Sequence, residues 1–536
     1  MNDQESSETG AGSESARSNP AGSESEAAGT EAAGTEPAAG VESAAGVDFP
    51  VAGDGRRSTS ALGRAVIADA LRRTDPAGAV GAERETNWRS GYLAHFRRVI
   101  EAGLTSRDAA LAIAADGLGS LHGRMRAAAA GGEERDLGDL LTRPPRRAFR
   151  TATVTGSAEA DRELSLPYRG QLLRGDDLAR RLDAWVTAGI IEPSCADAVR
   201  QVADHPEWLS LPGRTVAVLG AGSEIGPLPV LLGWGATVAG VDLARPRIWE
   251  RVLQMARSGA GTLLAPTAAD PGGDPGDEVA PGDLAGTAGA DLTAEIPEIA
   301  DWLAGLDGPL VLGNYVYADG AANVRVCAAA DALTLRLQGA RDDVALAFLA
   351  TPTDVFVVPA DAVAQSAGAY AARPIAVKLA SRPLRSLSGG RLLRRAYVPG
   401  ADPGISDCLV AQQGPNYALA KRLQRWRAAV ARDSGSTVSL NVAPPTRTRS
   451  VVKNRALAAA YAGAHRFGAE VFEPGTTRVL MAALLVHDLN TGGPAHAHPW
   501  QDEADAAAHG GLWRIAWAPR SALGLAALLG YGAART

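Results

Sequence analysis

Cysteine is scarce. Cys195, Cys327 and Cys408 are the only three in 536 residues, far apart and with no C-x-x-C partner. That spacing excludes a disulfide framework and a zinc set, and it suits a reducing, cytoplasmic environment. No apolar run reaches the roughly 20 residues of a membrane-spanning helix. The nearest, "SALGLAALLGYGAA", stops well short of it. A basic segment followed by an apolar stretch is missing from the N-terminus, so no secretory signal is expected. Basic charge is not in excess either: the formal net charge is −7. Ten acidic side chains against Arg17 alone in residues 1–50 account for more than all of it, and the rest of the chain comes to +2. A nucleic-acid partner would need a strongly basic face, so none is expected. Aromatics are sparse, at 5%, beside abundant Ala, Gly and Arg, a bias that GC-rich coding also produces and that excludes nothing. His487-Asp488 and the histidines His496, His498 and His509 of "HAHPWQDEADAAAHGG" lack ligand spacing and read as polar loop, with no metal site.

What is present falls into stretches of different grammar. Residues 1–55 are Gly, Ala, Ser and Glu with near-repeats, too poor in aliphatic side chains to offset ordering entropy, and are expected to be a disordered leader. Residues 56–205 read as a helical accessory domain. "STSALGRAVIADALRRT" opens on Ser/Thr cap residues and spaces Leu62, Val66, Ile67 and Leu71 helically, and Trp88, Tyr92, Phe96 and Ile100 repeat the device. From residue 206 to 515, short β-branched runs alternate with helical patterns, the grammar of an α/β fold with a doubly wound parallel sheet. Irregular insertions are expected at about 268–290 and 360–405, and residues 516–536 form an apolar tail.

The segment "GRTVAVLGAGSEIGPLPVLLGWGATVAGVDL" carries the most chemistry. A buried strand, "TVAVL", runs into a turn of Gly220, Gly222, Ser223, Glu224, Ile225 and Gly226. Pro227 suits a first helical turn, and a second strand ends at Asp242, twenty residues after Gly222. Glycines let the backbone approach a pyrophosphate, the helix start supplies N–H groups, and the acid accepts from ribose hydroxyls. An adenosine-containing cofactor follows. S-adenosylmethionine and NAD(P) both meet that description, although Glu224 stands where a methyltransferase turn would carry glycine. Asp242 repels a 2′-phosphate and favours NAD, whereas Arg245 and Arg247 can accommodate NADP.

Downstream come a third strand "GTLLAPTAAD", a fourth "GPLVLGNYVYADG", the long helix "ANVRVCAAADALTLRLQGA" and a fifth strand "DVALAFLATPTDVFVVP". The helix "GPNYALAKRLQRWRAAVA" follows, and then a sixth strand entering "NVAPPTRTRSV". Over about residues 211–490 this succession resembles the short-chain dehydrogenase/reductase family. The resemblance implies a Rossmann fold and NAD or NADP as cofactor. It implies an active-site pair in Tyr417 and Lys421, a helix asparagine in Asn323, and a strand-end asparagine in Asn314. A nicotinamide-side turn is implied over Pro444 to Thr448, with Thr446 and Thr448 among its contacts. The hydroxyl that holds the substrate oxygen falls to Thr353, with Thr351 and Ser406 as alternatives. The sequence departs from the family pattern at Leu219, where threonine is usual, at Glu224, where the middle glycine is usual, and at Pro445, also a glycine position.

Helix geometry supports the pair independently. Leu419, Leu423, Trp426 and Val430 form one apolar stripe, while Tyr417 and Lys421 stack together away from it. A neighbouring ammonium would favour the phenolate and lower the phenol's ordinary pKa of about 10. The basic insertion (Lys378, Arg382, Arg385, Arg391, Arg394, Arg395) reads either as a lid for an anionic substrate group or as a solvated loop. The expectation is therefore an NAD(P)-dependent oxidoreductase acting on a small carbonyl/alcohol substrate, with homo-oligomerisation left open. The alternatives are an S-adenosylmethionine-dependent methyltransferase and a non-catalytic nucleotide-binding scaffold.

Overall fold

The computed structural model describes residues 46–53, 55–128, 134–268 and 284–532. Its centre is a seven-stranded sheet: β1 (Phe149–Thr155), β2 (Thr215–Leu219), β3 (Thr237–Val241), β4 (Thr262–Ala268), β5 (Leu310–Asn314), β6 (Val344–Ala350) and β7 (Val438–Val442). In space the order is β7-β6-β5-β2-β3-β4-β1. Every neighbouring pair is parallel except β1, which runs antiparallel to β4 along one edge. With β1 set aside, the strands follow the dinucleotide-binding order of a doubly wound fold, reversing between β2 and β5.

The strands are buried because both faces are covered. β2, β5 and β7 are buried at every position, which is why they read as continuous apolar runs. Their side chains divide between two cores. Ala217, Leu219, Leu312, Phe348 and Leu440 pack on one face with helices α1 (Thr59–Leu71), α2 (Trp88–Gly103), α3 (Arg107–Arg124), α6 (Ile296–Ala304), α7 (Ala321–Ala340) and α8 (Gly414–Asp433). Val216, Val218, Val311, Ala347 and Leu349 pack on the other, with α4 (Leu228–Gly233), α5 (Pro246–Ser258) and α9 (Pro474–Thr491). Registers from Thr215↔Leu310 to Leu219↔Asn314, and Asn314↔Phe348 beside them, bring the carboxyl ends of β2, β5 and β6 level.

Several expectations need correction. Residues 1–45 of the anticipated leader lie outside the described residues, but Gly46–Asp48 is a strand paired with Arg126–Ala128, burying Val47 and Phe49. The 56–205 stretch is capped and helical where expected: the Ser58 side chain accepts from the Ala61 N–H at the start of α1. It also contributes β1 and a short hairpin, Leu166–Tyr168 with Gln171–Leu173. The alternating "FRTATVT" was a strand signal lost among helical neighbours. The fifth apolar run is two strands. After β6, Pro352 has no N–H to offer a ladder, and Val355–Val358 leaves the sheet to pair antiparallel with Gly404–Asp407. The 360–405 insertion is largely helical, with Ala360–Ala371 and Ile375–Leu387, and the C-terminal tail holds helix Pro519–Gly530. Of the insertion at 268–290, residues 269–283 lie outside the described residues.

Helix α8 is enclosed on all sides. Its stripe residues Leu419, Leu423 and Trp426 are buried as anticipated, but so are Arg422, Gln424, Arg425 and Arg427. Trp426 fits over Gly117 of α3, where any side chain would collide with the indole. Trp426→Ala is expected to cost about 3–5 kcal/mol, read as a fall in the urea midpoint without a change in m-value.

Candidate functional site

The glycine turn is built at the sheet's switch point. Gly220 follows β2 with φ of +83°, and a Cβ there would stand 2.9 Å from the Tyr315 carbonyl oxygen. Only glycine lets the turn lie against the end of β5 in this way. Gly222 N–H donates to Asp242 Oδ2 at 2.8 Å, and Leu243 N–H donates to Oδ1 at 2.8 Å. Asp242, at the end of β3, therefore clasps the turn from below. Arg251 donates to the Gly222 carbonyl at 3.0 Å. Ser223 N–H returns to the Gly220 carbonyl at 2.9 Å, Ile225 leans on the core, and Gly226 is buried just before α4. Arg245 and Arg247 are exposed beyond β3. Glu224 reaches across to the segment after β7, where its Oε2 accepts the Arg449 N–H at 3.0 Å and lies 3.4 Å from Arg449 Nε.

The tyrosine and lysine of α8 reach the same end of the sheet. Lys421 Nζ donates to the carbonyl of Leu349 in β6 and to Gln424 Oε1, both at 3.1 Å. Gln424 Nε2 donates in turn to Asn314 Oδ1 at 3.2 Å. A chain of hydrogen bonds thus joins Lys421 to the carboxyl end of β5, where the Gly220 turn rests. Tyr417, one helical turn before Lys421, is half-buried, with the Thr351 hydroxyl near its phenol. Thr351 Oγ1 lies 2.9 Å from Thr353 Oγ1, and Gln413 Nε2 donates to Thr353 at 2.7 Å. The hydroxyl that faces the phenol is therefore Thr351, with Thr353 behind it. Tyr317 covers the phenol edge-on, ring centroids 6.4 Å apart.

The electrostatics differ from the sequence expectation. Burial raises the Tyr417 pKa above its ordinary value, more than the Thr351 hydrogen bond lowers it. Burial likewise lowers that of Lys421. The ammonium points to Leu349 and Gln424, so desolvation and not charge pairing governs the phenol. Its neutral form is the resting one. Cys327 of α7 sits by Lys421, its thiol pushed up to about 12 by burial.

The remaining expected residues each have partners of their own. Asn323, buried in the first turn of α7, accepts the Ala318 N–H at 3.1 Å through Oδ1 and so braces the loop after β5. Ser406 is on the strand Gly404–Asp407, its hydroxyl 3.2 Å from Cys408 Sγ. After β7, the Pro444 carbonyl accepts the Thr446 hydroxyl at 2.8 Å, Thr446 meets Thr477 at 2.7 Å, and Thr448 pairs with Ser450 at 2.9 Å. His487 and His496 contact Asp488 and Asp505, and His498 meets the Gly103 carbonyl. His509 and Arg514 share Glu192 in the interior, while Trp513 and Trp517 are core residues. Gln413, Gln424, Tyr317 and Cys327 were not read from the sequence. Gln424, three residues after Lys421 on the same face, was the one with a spacing signal.

Buried ion pairs fix α8. Asp354, 1% exposed, takes Arg422 on Oδ1 and Arg425 on Oδ2, each at 2.7 Å. Arg427 grips Asp331 of α7 through two bonds, at 2.6 and 2.8 Å, and His122 of α3 completes the set at 2.7 Å.

No family model and no curated protein matches this chain. Among solved structures it is similar to a thiolation-reductase di-domain from an archaeal non-ribosomal peptide synthetase, at 11% identity and a TM-score of 0.25. The match covers 51% of this chain and 52% of that one, so the chain spans about half that protein's length. A likeness at that score bears no weight. Among the described residues no helix is long and apolar enough to cross a membrane.

Two outcomes follow from the anchors. Asp354→Ala leaves two guanidinium groups without their buried counter-ion and is expected to cost about 3–5 kcal/mol in denaturant titration. Burial pushes the Asp331 carboxyl up, but Arg427 and His122 outweigh it and hold it at about 2. The folded value lies below the unfolded one of about 3.9, so this contribution is complete above about pH 4 and fades as pH falls toward 2. Asp331→Asn should show a shallower acid limb than wild type, by up to about 1.4 kcal/mol per pH unit.

Proposed function

We propose that this chain binds a nicotinamide dinucleotide and interconverts a carbonyl and an alcohol in the manner of a short-chain dehydrogenase/reductase. The observation that carries it is the convergence of Gly220, Lys421 and the Tyr417–Thr351 pair on the carboxyl ends of β2, β5 and β6. A doubly wound sheet binds its ligand there.

The residues fit the cofactor. Gly220 leaves no room for a Cβ and at Gly222 one would have to displace the Arg251 guanidinium, so the turn presents bare backbone. Asp242 uses one lone pair of Oδ2 on the turn and one of Oδ1 on the neighbouring Leu243 N–H, and keeps others for ribose hydroxyls. Thr446 and Thr448 stand on the nicotinamide side. Glu224 lies on the phosphate side, its charge met by Arg449, and Arg251 adds a cation beneath the turn. Asp242 favours NAD, and Arg245 and Arg247 keep NADP within reach.

When bound, the nicotinamide exchanges a hydride with the substrate carbon. Thr351 holds the substrate oxygen and Tyr417 Oη passes a proton to it. The neutral phenol suits the reductive direction, in which it must donate. Lys421, held by Leu349 and Gln424, places a cation near the phenolate that results. Thr353 and Gln413 orient Thr351, and Asn323 supports the loop beside the site. The substrate is a small carbonyl compound.

Equilibrium titration with NADH, NADPH and S-adenosylmethionine tests the cofactor. Nicotinamide binding at micromolar affinity, weakened in Gly220→Val, is expected. Binding of S-adenosylmethionine alone would put a methyltransferase in its place. Once a carbonyl substrate turns over, Tyr417→Phe should lower kcat by a factor of about 10² to 10⁴ with NAD(P)H binding unchanged. Because burial raises the phenol, reductive turnover should show no loss from Tyr417 ionisation between about pH 6 and 9. A Phe variant as active as wild type ends the acid/base assignment.

A further inference from the structure

The helix Ile375–Leu387, "IAVKLASRPLRSL", is amphipathic but faces the wrong way for a globular protein. Wound at about 100° per residue, its apolar arc runs through Ile375, Leu379, Pro383, Ala376, Leu387 and Ala380. Arg382 lies at the edge of that arc beside Ile375, and Lys378 and Arg385 fall on the opposite side with Ser381. Ser381 is the helix's only buried residue. Ile375 is 76% exposed, Leu379 61% and Leu387 88%, so the apolar arc looks into solvent. Single exposed leucines are ordinary, whereas a contiguous apolar face on one helix marks an interaction surface.

Charge identifies what covers it. Between residues 373 and 401 the chain carries seven Lys and Arg and no Asp or Glu, although the protein as a whole has a net charge of −7. Among the described residues Lys378, Arg382, Arg385, Arg391 and Arg394 enter no salt bridge, while Arg373 is committed to the rings of Tyr370 and Trp517. A symmetric contact with a second copy would bring these cations against their own kind. An apolar face bordered by unpaired cations is what an interfacial helix offers to an anionic lipid surface. Arg382 borders the arc, and the long stems of Lys378 and Arg385 carry their charges around the helix toward headgroups.

We propose that helix Ile375–Leu387 docks this protein on an anionic membrane surface, with Ile375, Leu379 and Leu387 in the acyl boundary and Arg382, Lys378 and Arg385 at the phosphates. The attachment is peripheral and does not depend on the dinucleotide reading.

Co-sedimentation of the full chain with vesicles tests it, using phosphatidylcholine alone or mixed with phosphatidylglycerol. Binding is expected to the mixed vesicles and not to phosphatidylcholine alone, and should weaken as salt rises. Lys378→Gln/Arg382→Gln/Arg385→Gln should reduce it about a hundredfold, at a tenfold loss for every 1.4 kcal/mol. Ile375→Asp/Leu379→Asp should reduce it about tenfold or more. Arg382, Arg385, Ile375 and Leu379 are exposed and Lys378 is half-buried, and unchanged circular dichroism will show that the fold is kept. No binding, equal binding to both vesicles, or variants that bind like wild type would overturn the proposal. So would a wild-type dimer in sedimentation velocity that Ile375→Asp/Leu379→Asp dissolves.

Discussion

The carboxylate of Asp354 is the constraint around which the site is organised. It sits just past β6, where the chain leaves the sheet, and its two oxygens hold Arg422 and Arg425 of α8. One buried anion between two cations leaves an excess positive charge, and Glu503 answers it by accepting from Arg425 Nε at 2.7 Å. Arg425 also lies over the Phe356 ring at 4.1 Å. Such a group is costly to desolvate, and it holds only when every partner is in place. The gain is positional. Arg422 and Arg425 follow Tyr417 and Lys421 within two turns, so fixing the guanidinium groups fixes the height and rotation of the helix against Thr351.

The same clamp explains why the fold needs its N-terminal helices. A Rossmann sheet ordinarily leaves the outer side of such a helix to solvent. Here α3 covers it, Trp426 settles over Gly117, and His122 joins the Asp331–Arg427 pair. With water excluded from both sides, the charges of α8 must find partners within the protein. The phenol and ammonium of Tyr417 and Lys421 are each pushed toward their neutral forms. Helices α1 to α3 and the electrostatics of α8 are therefore linked, because burial is what shifts both groups.

Much of the fold was legible. Fully buried parallel strands have no polar face, so "TVAVL", "TVAGV" and "LVLGN" announce themselves as apolar runs, and the glycine turn with Asp242 twenty residues on fixed their meaning. β1 was not legible, because an edge strand alternates and its alternation was outvoted by helical patterns on either side. On α8 the stripe Leu419, Leu423 and Trp426 was read correctly. Arg422, Arg425 and Arg427 were not, since arginine in sequence signals solvent and its burial depends on carboxylates far away along the chain, at Asp354 and Asp331. The Gln413–Thr353 hydrogen bond was not legible either, because no spacing rule links residues so far apart in the chain.

Glu224 shows how local grammar and tertiary context divide the work. In the turn it replaces a glycine and places a carboxylate where a phosphate-binding loop should be neutral. Taken alone, that charge argues against a pyrophosphate. The segment after β7 changes the sum, because the Arg449 N–H and guanidinium meet the carboxylate and draw it across the opening. The half-exposed pair is weak enough to exchange partners, since a surface ion pair contributes only about 0–1 kcal/mol. A diphosphate arriving at the turn would compete with Glu224 for Arg449, and two negative charges on a rigid group outcompete one on a flexible side chain. The carboxylate that replaces a glycine in the turn is thus answered within the protein, by a pair that ties the turn to the segment after β7.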